Sequence, residues 1–291
     1  MSKNILVTGA NGQLGSSLQK IQTKYANCAF YFTDIGTLDI CDKKQLVEFV
    51  QSYRIGYIVN CAAYTAVDKA EDEKDICNRI NRDAIRYIGE VASAEGIKVI
   101  HVSTDYVFDG TRPRPYREDD PANPVSVYGQ SKLEGEIALL HVCPDAVIIR
   151  TAWLYSEYGS NFVKTMLHLG KEKSAINVVC DQIGSPTYAE DLAVAMMSIV
   201  EHQPFLPGIY HFSGEGICSW YDFAATIMAL AELDCRVYPI KTQAYPTRAV
   251  RPANSVLDKG KIKTTFNLHI PQWEESLAKC LSAFLNQEIS L

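Results

Sequence analysis

The sequence lacks several features that would place it in a specialised class of protein. No apolar run approaches the roughly 20 residues that a membrane-spanning helix needs. Positive charge is not in excess, because 34 acidic and 28 basic side chains give a net charge of −6, which argues against nucleic acid as the main partner. The start of the chain has no signal-peptide pattern, since a predicted strand follows Met1 almost directly. We therefore expect a cytoplasmic protein without a membrane partner.

Cysteine is present but lacks the spacing of a disulfide framework or a zinc site. The nine cysteines are odd in number and scattered, and no pair has C-x-x-C spacing. This pattern is typical of reduced, mostly buried thiols in a reducing compartment.

Short β-branched runs alternate with segments of helical periodicity, which predicts the α/β fold class. A length of 291 residues suits one large α/β domain or a domain with a smaller lobe. Ile76, Ile80, Ala84, Ile88 and Val91 are expected to share the buried face of one long helix. The predicted strands are 5–8, 29–33, 57–60, 99–103, 146–151, 176–179 and 209–212, and the predicted helices are 13–22, 43–52, 76–95, 127–140, 189–200 and 273–284.

A glycine-rich loop, GANGQLG at 9–15, follows the first predicted strand and precedes the first predicted helix. A dinucleotide pyrophosphate requires a tight turn there and bare backbone amides at the helix start. One more residue separates Gly9 from Gly12 than in the G-x-G-x-x-G form, and an ordinary glycine turn is the alternative. With Gly15 completing the set, we predict a Rossmann-like, doubly wound parallel sheet.

An acidic residue after the second strand favours NADH over NADPH. Asp34 stands 19 residues after Gly15, where a carboxylate can accept from the ribose hydroxyls and repel a 2′-phosphate. NADPH is tolerated if Lys43 or Lys44 can reach that phosphate. Asp39 is a second candidate, with a helix-initiating or turn role as its alternative.

Tyr128 and Lys132 have the four-residue spacing that places two side chains on one helix face. The ammonium can then stabilise the phenolate and lower the pKa of a tyrosine that donates a proton to a carbonyl. Such a pair also arises by chance in a chain with 16 tyrosines. Ser103 and Thr104, at the end of the fourth strand, are equally eligible to hold the substrate oxygen, although either hydroxyl could simply cap backbone.

These motifs together resemble the extended short-chain dehydrogenase/reductase superfamily, and longer blocks resemble the dTDP-4-dehydrorhamnose reductase family across essentially the whole chain. The blocks are VNCAAYTAVDKAE at 59–71, STDYVF at 103–108, RTAW at 150–153, DQIGSPT at 181–187 and RPANS at 251–255. The resemblance implies NAD(P)H-dependent reduction of the C4 keto group of dTDP-4-dehydro-L-rhamnose, in the synthesis of dTDP-L-rhamnose for cell-surface polysaccharide.

The resemblance also assigns roles to residues. Tyr128 would protonate the alkoxide, Lys132 would bind the nicotinamide ribose, and Thr104 would orient the carbonyl. Residues 1–152, with about 189–213, would bind the dinucleotide, and 153–188 with 214–291 would form a smaller C-terminal substrate-binding lobe. The implied dinucleotide contacts are Gly12, Gln13, Leu14, Asp34, Asp39, Ile40, Ala63, Tyr64 and Thr65.

Four residues are implied or considered as contacts of the sugar nucleotide. Asp105 and Trp153 match family positions, although a tryptophan after a buried strand is often simply part of the core. Asn161 and Arg251 are weaker candidates for the diphosphate, and a surface salt bridge explains Arg251 nearly as well.

Some members of the family hold Mg²⁺ between two subunits through glutamates. Here Glu190 fits one position, Ser17 stands at another, and Glu288 lies only near the third. Mg²⁺ prefers oxygen ligands in an octahedral array, and one or two of the carboxylates are missing here. We therefore predict no metal site, and both a monomer and a homodimer stay open.

Three other interpretations of the sequence stay open. A reductase or epimerase of another nucleotide sugar would share the superfamily motifs, although an epimerase needs a second acid–base group, and none is obvious near Tyr128. A non-catalytic regulatory subunit with the same fold is a further alternative. The proline-rich stretch 109–124 predicts a long loop that is either functional or a solvated surface excursion.

Overall fold

The molecule is built on a six-stranded parallel sheet, as the sequence predicts. The computed structural model describes residues 3–288, and within the last helix it describes side chains as far as Phe284. The sheet strands are β1 (Lys3–Thr8), β2 (Cys28–Thr33), β3 (Tyr57–Asn60), β4 (Lys98–Thr104), β5 (Val147–Thr151) and β10 (Gly208–Phe212). Their order across the sheet is β10-β5-β4-β3-β1-β2, so β2 lies on one side of β1 and the later strands lie on the other. This switch between β1 and β3 opens a crevice at their carboxyl ends.

Six further strands and eleven α-helices complete the described fold. The remaining strands are β6 (Leu154–Tyr155), β7 (Ala175–Val179), β8 (Ile183–Gly184), β9 (Thr187–Tyr188), β11 (Cys218–Ser219) and β12 (Arg236–Ile240). The helices are α1 (Gln13–Ile21), α2 (Lys43–Ser52), α3 (Val67–Ala70), α4 (Lys74–Asn78), α5 (Ala84–Glu95), α6 (Val127–Val142), α7 (Phe162–Glu172), α8 (Ala189–Glu201), α9 (Trp220–Leu230), α10 (Gly260–Phe266) and α11 (Trp273–Glu288).

Alternate residues of each central strand point to opposite faces, and helices cover both faces. Ile5 and Val7 join one core cluster with α1, α8 and α10, whereas Leu6 joins a second with α2, α5 and α6. All nine cysteines are free thiols, as expected. Within residues 3–288 no helix is both long and apolar enough to span a bilayer.

Helical structure covers the predicted 76–95, but the residues expected on one buried face do not share it. A π-helical turn at Arg79–Asp83 separates α4 from α5. Such a turn adds a residue and rotates the following side chains by roughly 100°. Ile76 is therefore 49% exposed, while Ile85 joins Ala84, Ile88 and Val91 on the buried face. Ile76 and Ile80 line the crevice instead.

A third core cluster lies beyond β5 and combines α7, α9 and α11. Trp273, Leu277, Cys280 and Leu281 are buried along α11, so the predicted amphipathic closing helix is confirmed. Strand β7 pairs with β12, and β8 pairs with β11.

The loop 109–124 is not a solvated excursion. Tyr116 is fully buried, its ring stacks on Phe108 at 4.2 Å, and its N–H donates to the Val256 carbonyl. The loop therefore fastens β4 to the segment before α10.

Candidate active site

The main cleft has a volume of about 940 Å³ and opens at the carboxyl ends of β1, β3 and β4. It brings together most residues that the sequence singled out. They are Gly9, Gly12, Gln13, Leu14, Gly15, Asp34, Asp39, Ile40, Ala63, Thr65, Thr104, Asp105, Tyr128, Lys132, Trp153 and Asn161.

The glycine loop presents free backbone to this cleft. Gly9 has φ +66°, and a Cβ there would lie 2.7 Å from the Ala62 Cα. A Cβ at Gly15 would overlap the Gly9 carbonyl oxygen. Gly12 caps α1 without a side-chain hydrogen bond, so the first-turn amides of the helix are available to an anion. This cradle fits a pyrophosphate.

The two acidic candidates lie at one end of the cleft. Asp34 accepts from the N–H groups of Asn11 (2.9 Å) and Ile35 (2.8 Å), which fixes its carboxylate against the glycine loop. Asp39 accepts from the Cys41 N–H at 2.9 Å. Its other oxygen lies 3.9 Å from Arg79.

Arg79 is the cation of this end of the cleft, and sequence reasoning missed it. Lys43 is bound to Glu90 at 2.7 Å, and Lys44 lies 3.8 Å from Glu48, so neither lysine faces the cleft. Arg79 stands 40 residues beyond Asp39 in the chain, at the start of the π turn. The sequence contains no local signal for that turn.

Tyr128 and Lys132 lie on the first turns of α6, and both side chains are buried. Ser126 caps the helix by accepting from the Gly129 N–H at 3.1 Å. A Cβ at Gly129 would overlap the Tyr106 carbonyl oxygen, so glycine permits α6 to pack against 105–107.

The expected lowering of the Tyr128 pKa is not what this structure shows. Burial raises the pKa of Tyr128 above its ordinary value, and a hydrogen bond with Thr104 opposes this only in part. Lys132 donates to the Val102 carbonyl at 2.7 Å, and burial lowers its pKa to about 8. Tyr128 therefore keeps its proton at neutral pH, as a general acid requires.

The structure distinguishes the two hydroxyls that the sequence left equivalent. Ser103 donates to the buried carboxylate of Glu136, which is itself paired with Arg150. Thr104 instead forms a hydrogen bond with Tyr128 and donates to Asp105 Oδ1 at 3.0 Å. Thr104 is thus the hydroxyl in contact with the proton donor.

Asp105 is a second acid–base group in the cleft. Burial raises the pKa of its carboxyl to about 6. Hydrogen bonds with Ser255 and Thr104 oppose this rise, while its Oδ2 is buried without a well-formed hydrogen bond to the described residues. Asp105 is therefore a candidate for the second acid–base group, which was not obvious from the sequence.

Trp153 contributes an edge to the cleft, not a stacking face. Its φ is +48°, and its indole stacks on Trp220 at 3.6 Å. The opposite side is against Gly184, where a Cβ would lie 2.6 Å from Trp153 Cε2. Trp220 also lines the cleft, and sequence reasoning missed it because it lies 67 positions after Trp153 with no local pattern that links the two indoles.

Three predicted contacts are placed differently from expectation. Tyr64 and Arg251 do not occur among the described residues that line the cleft. The Tyr64 hydroxyl donates to Glu73 at 2.6 Å, and Arg251 binds Asp68 through two bonds of 2.6 and 2.9 Å, so its salt-bridge interpretation holds. Asn161 lines the cleft, but its amide already accepts from the Lys164 N–H and donates to Gln13.

The residues at the implied magnesium position do not fit the metal. The Lys20 ammonium lies 2.7 Å from carboxylate oxygens of both Glu157 and Glu190, and Lys279 lies 3.0 Å from Glu190. Burial alone would raise the pKa of Glu190, but the two ammonium groups lower it to about 2. Ser17 donates to the Gln13 carbonyl, and the Glu288 side chain lies outside the described residues. The Lys20 ammonium therefore occupies the position that a metal ion would need between these carboxylates.

We predict that Lys20→Met lowers the free energy of unfolding by about 1–3 kcal/mol, because buried carboxylates lose a partner that is itself about one-third exposed. The midpoint of urea denaturation of the unchanged protein should be the same in MgCl₂ and EDTA. Lys44→Met, which touches only an exposed pair, is the control and should change little. A magnesium-dependent midpoint in the unchanged protein would contradict this account.

Comparisons with known proteins agree with this geometry. A family model described as RmlD substrate binding domain matches residues 3–286. A dTDP-4-dehydrorhamnose reductase of Aggregatibacter actinomycetemcomitans is 43% identical, with 94% of this chain and 96% of that protein covered. A dTDP-4-dehydrorhamnose reductase of Salmonella typhimurium is 38% identical over 96% of this chain and 97% of its own.

A solved structure has nearly the same fold. It is a dTDP-4-dehydrorhamnose reductase of Bacillus anthracis in complex with NADP, with a TM-score of 0.92 and 40% identity. The match covers 97% of this chain and 100% of that one. The chain therefore belongs to the dTDP-4-dehydrorhamnose reductase family.

Proposed function

We propose that this protein reduces the C4 keto group of dTDP-4-dehydro-L-rhamnose to a hydroxyl with NADPH or NADH, giving dTDP-L-rhamnose. One observation carries the proposal. The N-terminus of α1, which has no side-chain cap and is lined by glycine, lies in the same cleft as Tyr128. Tyr128 is buried, protonated and hydrogen-bonded to Thr104. The cleft alone supports the reduction of a ketone in general, and the names of the relatives given above support one sugar nucleotide as the substrate.

The first half of the cleft suits the dinucleotide. Amides at 12–15 would bind the pyrophosphate, and Asp34 would accept from the adenosine ribose. When bound, the dihydronicotinamide supplies the hydride. Residues 1–152 with about 189–213 form this part in our proposal. We add the segment around α10, because Ile262 and Phe266 pack in the cluster against β10.

The proton comes from the protein. Thr104 holds the carbonyl oxygen, and Tyr128 donates its phenolic proton to that oxygen as negative charge develops there. The Lys132 ammonium, on the same helix face, favours the phenolate that remains. Hydride at carbon and proton at oxygen together complete the alcohol.

The second half of the cleft suits the sugar nucleotide. Asp105 has one buried oxygen ready to accept from a sugar hydroxyl, and the edges of Trp153 and Trp220 provide apolar surface. The lobe formed by 153–188 and most of 214–291 contributes these tryptophans. We propose that the protein acts in the cytoplasm.

Cofactor preference depends, in our proposal, on Arg79. Asp34 disfavours a 2′-phosphate, but the guanidinium of Arg79, which is 64% exposed, can offset this by pairing with the phosphate. We predict that Arg79→Gln raises the KM for NADPH about tenfold, the effect of losing roughly 1.4 kcal/mol from one charge-assisted contact. The KM for NADH should change less than about twofold.

Initial rates with each dinucleotide check this prediction. Lys43→Gln is the matched control, because Lys43 is bound to Glu90 away from the cleft. If Arg79→Gln raised the KM for NADPH and for NADH equally, Arg79 would contact the adenine and not the 2′-phosphate.

Oxidation of NADPH by the purified protein upon addition of dTDP-4-dehydro-L-rhamnose tests the function. Absence of turnover would sink the proposal and favour a non-catalytic subunit. Asp105 gives the epimerase alternative a specific basis, because a carboxyl with a pKa of about 6 can exchange protons beside a keto group. In deuterated water, deuterium at C3 or C5 of the recovered sugar would reveal epimerisation.

A further inference from the structure

A row of buried polar side chains runs behind Lys132, on the side away from the cleft. Thr8 on β1, Asn60 on β3 and His101 on β4 are neighbours across the parallel sheet, because Thr8 pairs with Asn60 and Asn60 pairs with His101 in the strand register. Each is at most 1% exposed. The mechanism above uses none of the three, yet the row ends at the Lys132 ammonium.

The orientation of the Asn60 amide is fixed by its partners. Its Nδ2 lies 3.3 Å from the Ala62 carbonyl, which can only accept, and its Oδ1 accepts from the Thr8 hydroxyl at 2.6 Å. The same Nδ2 lies 2.9 Å from Nδ1 of His101. An amide N–H₂ only donates, so His101 Nδ1 must accept. A neutral imidazole then carries its proton on Nε2.

His101 Nε2 lies 3.4 Å from Lys132 Nζ. Burial and the neighbouring Lys132 both hold the pKa of His101 well below its ordinary value, so the ring is neutral. Its Nε2–H has nothing to donate to when Lys132 is an ammonium, because an ammonium has no lone pair. A neutral amine, by contrast, can accept from that N–H while still donating to the Val102 carbonyl.

We propose that His101, held in its Nε2–H tautomer by Asn60, is a positioning residue that destabilises the charged form of Lys132 and thereby sets the pH above which activity is lost. This inference rests on the proposed function, in which the Lys132 charge favours the phenolate of Tyr128. Other titratable groups act on Lys132 from neighbouring elements. Glu136 on α6 favours its charged form, whereas Cys77 on α4 and Cys61 after β3 would do so only as thiolates, and burial raises the pKa of both thiols.

Two substitutions at position 101 separate the N–H group from the bulk of the ring. His101→Met is similar in size and has no donor, whereas His101→Gln retains an N–H that can reach Lys132. For the unchanged protein we expect the basic limb of the kcat/KM profile near pH 8, the value to which burial lowers the Lys132 pKa. In His101→Met the limb should move up by about one pH unit. In His101→Gln it should stay close to its original position.

His211→Met is the matched control, since His211 is an equally buried histidine on β10 whose Nδ1 bonds the Tyr116 carbonyl, away from Lys132. The basic limb of the kcat/KM profile should not move in His211→Met. The proposal is overturned if the basic limb of the kcat/KM profile does not move in His101→Met, or if it moves equally in His101→Met and His101→Gln. A merely structural role of His101 predicts no difference between these two variants.

A second measurement needs neither a variant nor turnover. The ¹⁵N spectrum of histidine-labelled protein reports which ring nitrogen of His101 carries the proton. We expect the Nε2–H tautomer throughout the pH range in which the protein is folded. An Nδ1–H tautomer or an imidazolium would overturn the proposal even if the His101 variants fail to fold. An inactive protein with the expected tautomer would refute the proposed function and leave the hydrogen-bond arrangement standing.

Discussion

Replacing Tyr128 with phenylalanine is expected to lower turnover by about 10²- to 10⁴-fold, the usual contribution of a positioned general acid. Burial keeps the phenol protonated, and Thr104 aims it into the cleft, so the change removes the only proton that the proposed step uses. Dinucleotide affinity should stay within about twofold, because the pyrophosphate cradle is at 12–15 and is untouched. Steady-state rates together with a dinucleotide binding titration measure both quantities.

The chain offers a matched control for this experiment. Tyr106 lines the same cleft, and its ring meets that of Tyr128 edge-on at 5.5 Å. Tyr106→Phe deletes the same atom beside the proposed donor, and we expect a loss of less than about tenfold because Tyr106 is not the acid. Full activity in Tyr128→Phe, or equal losses in the two variants, would refute the assignment of Tyr128.

Removal of the Glu136 carboxylate is expected to be the most destabilising single change, at about 3–5 kcal/mol. Glu136 accepts from Arg150 at 2.6 Å, and the two side chains are only 2% and 4% exposed. Arg150 also lies 5.1 Å above the Phe108 ring. Glu136→Ala leaves this guanidinium charged, buried and without its carboxylate. The same pair holds α6, with Tyr128 and Lys132, against β5.

Urea denaturation monitored by tryptophan fluorescence measures this change. Glu134→Ala is the control on the same helix, since Glu134 pairs with Arg82 at 3.3 Å where both side chains are about one-third exposed or more. Its cost should be below about 1 kcal/mol. Similar midpoints for Glu136→Ala and Glu134→Ala would show that the buried pair does not stabilise the fold.

The sequence predicted the elements whose signals are local. The strand before Gly9, the helix after Gly12 and the position of Asp34 all depend on spacing within about 30 residues, and the structure has each of them. The Tyr128 and Lys132 pair was equally readable, because a four-residue spacing fixes a shared helix face.

What the sequence could not predict depends on distant chain segments. Lys20 meets Glu157 across 137 residues, and Asn60 meets His101 across 41. The raised pKa of Tyr128 is likewise a tertiary effect, since desolvation depends on what covers the ring and not on Lys132 four residues away. The hydrophobic period predicted one uninterrupted buried face and gave no sign of the π turn that begins at Arg79.

The most direct test of hydride transfer in this cleft uses NADPH that carries deuterium at the transferring position of the nicotinamide. With dTDP-4-dehydro-L-rhamnose as the substrate, the account predicts one deuterium at C4 of the product sugar in every turnover. A product without deuterium at C4, or deuterium retained entirely in the dinucleotide while the sugar changes, would contradict it.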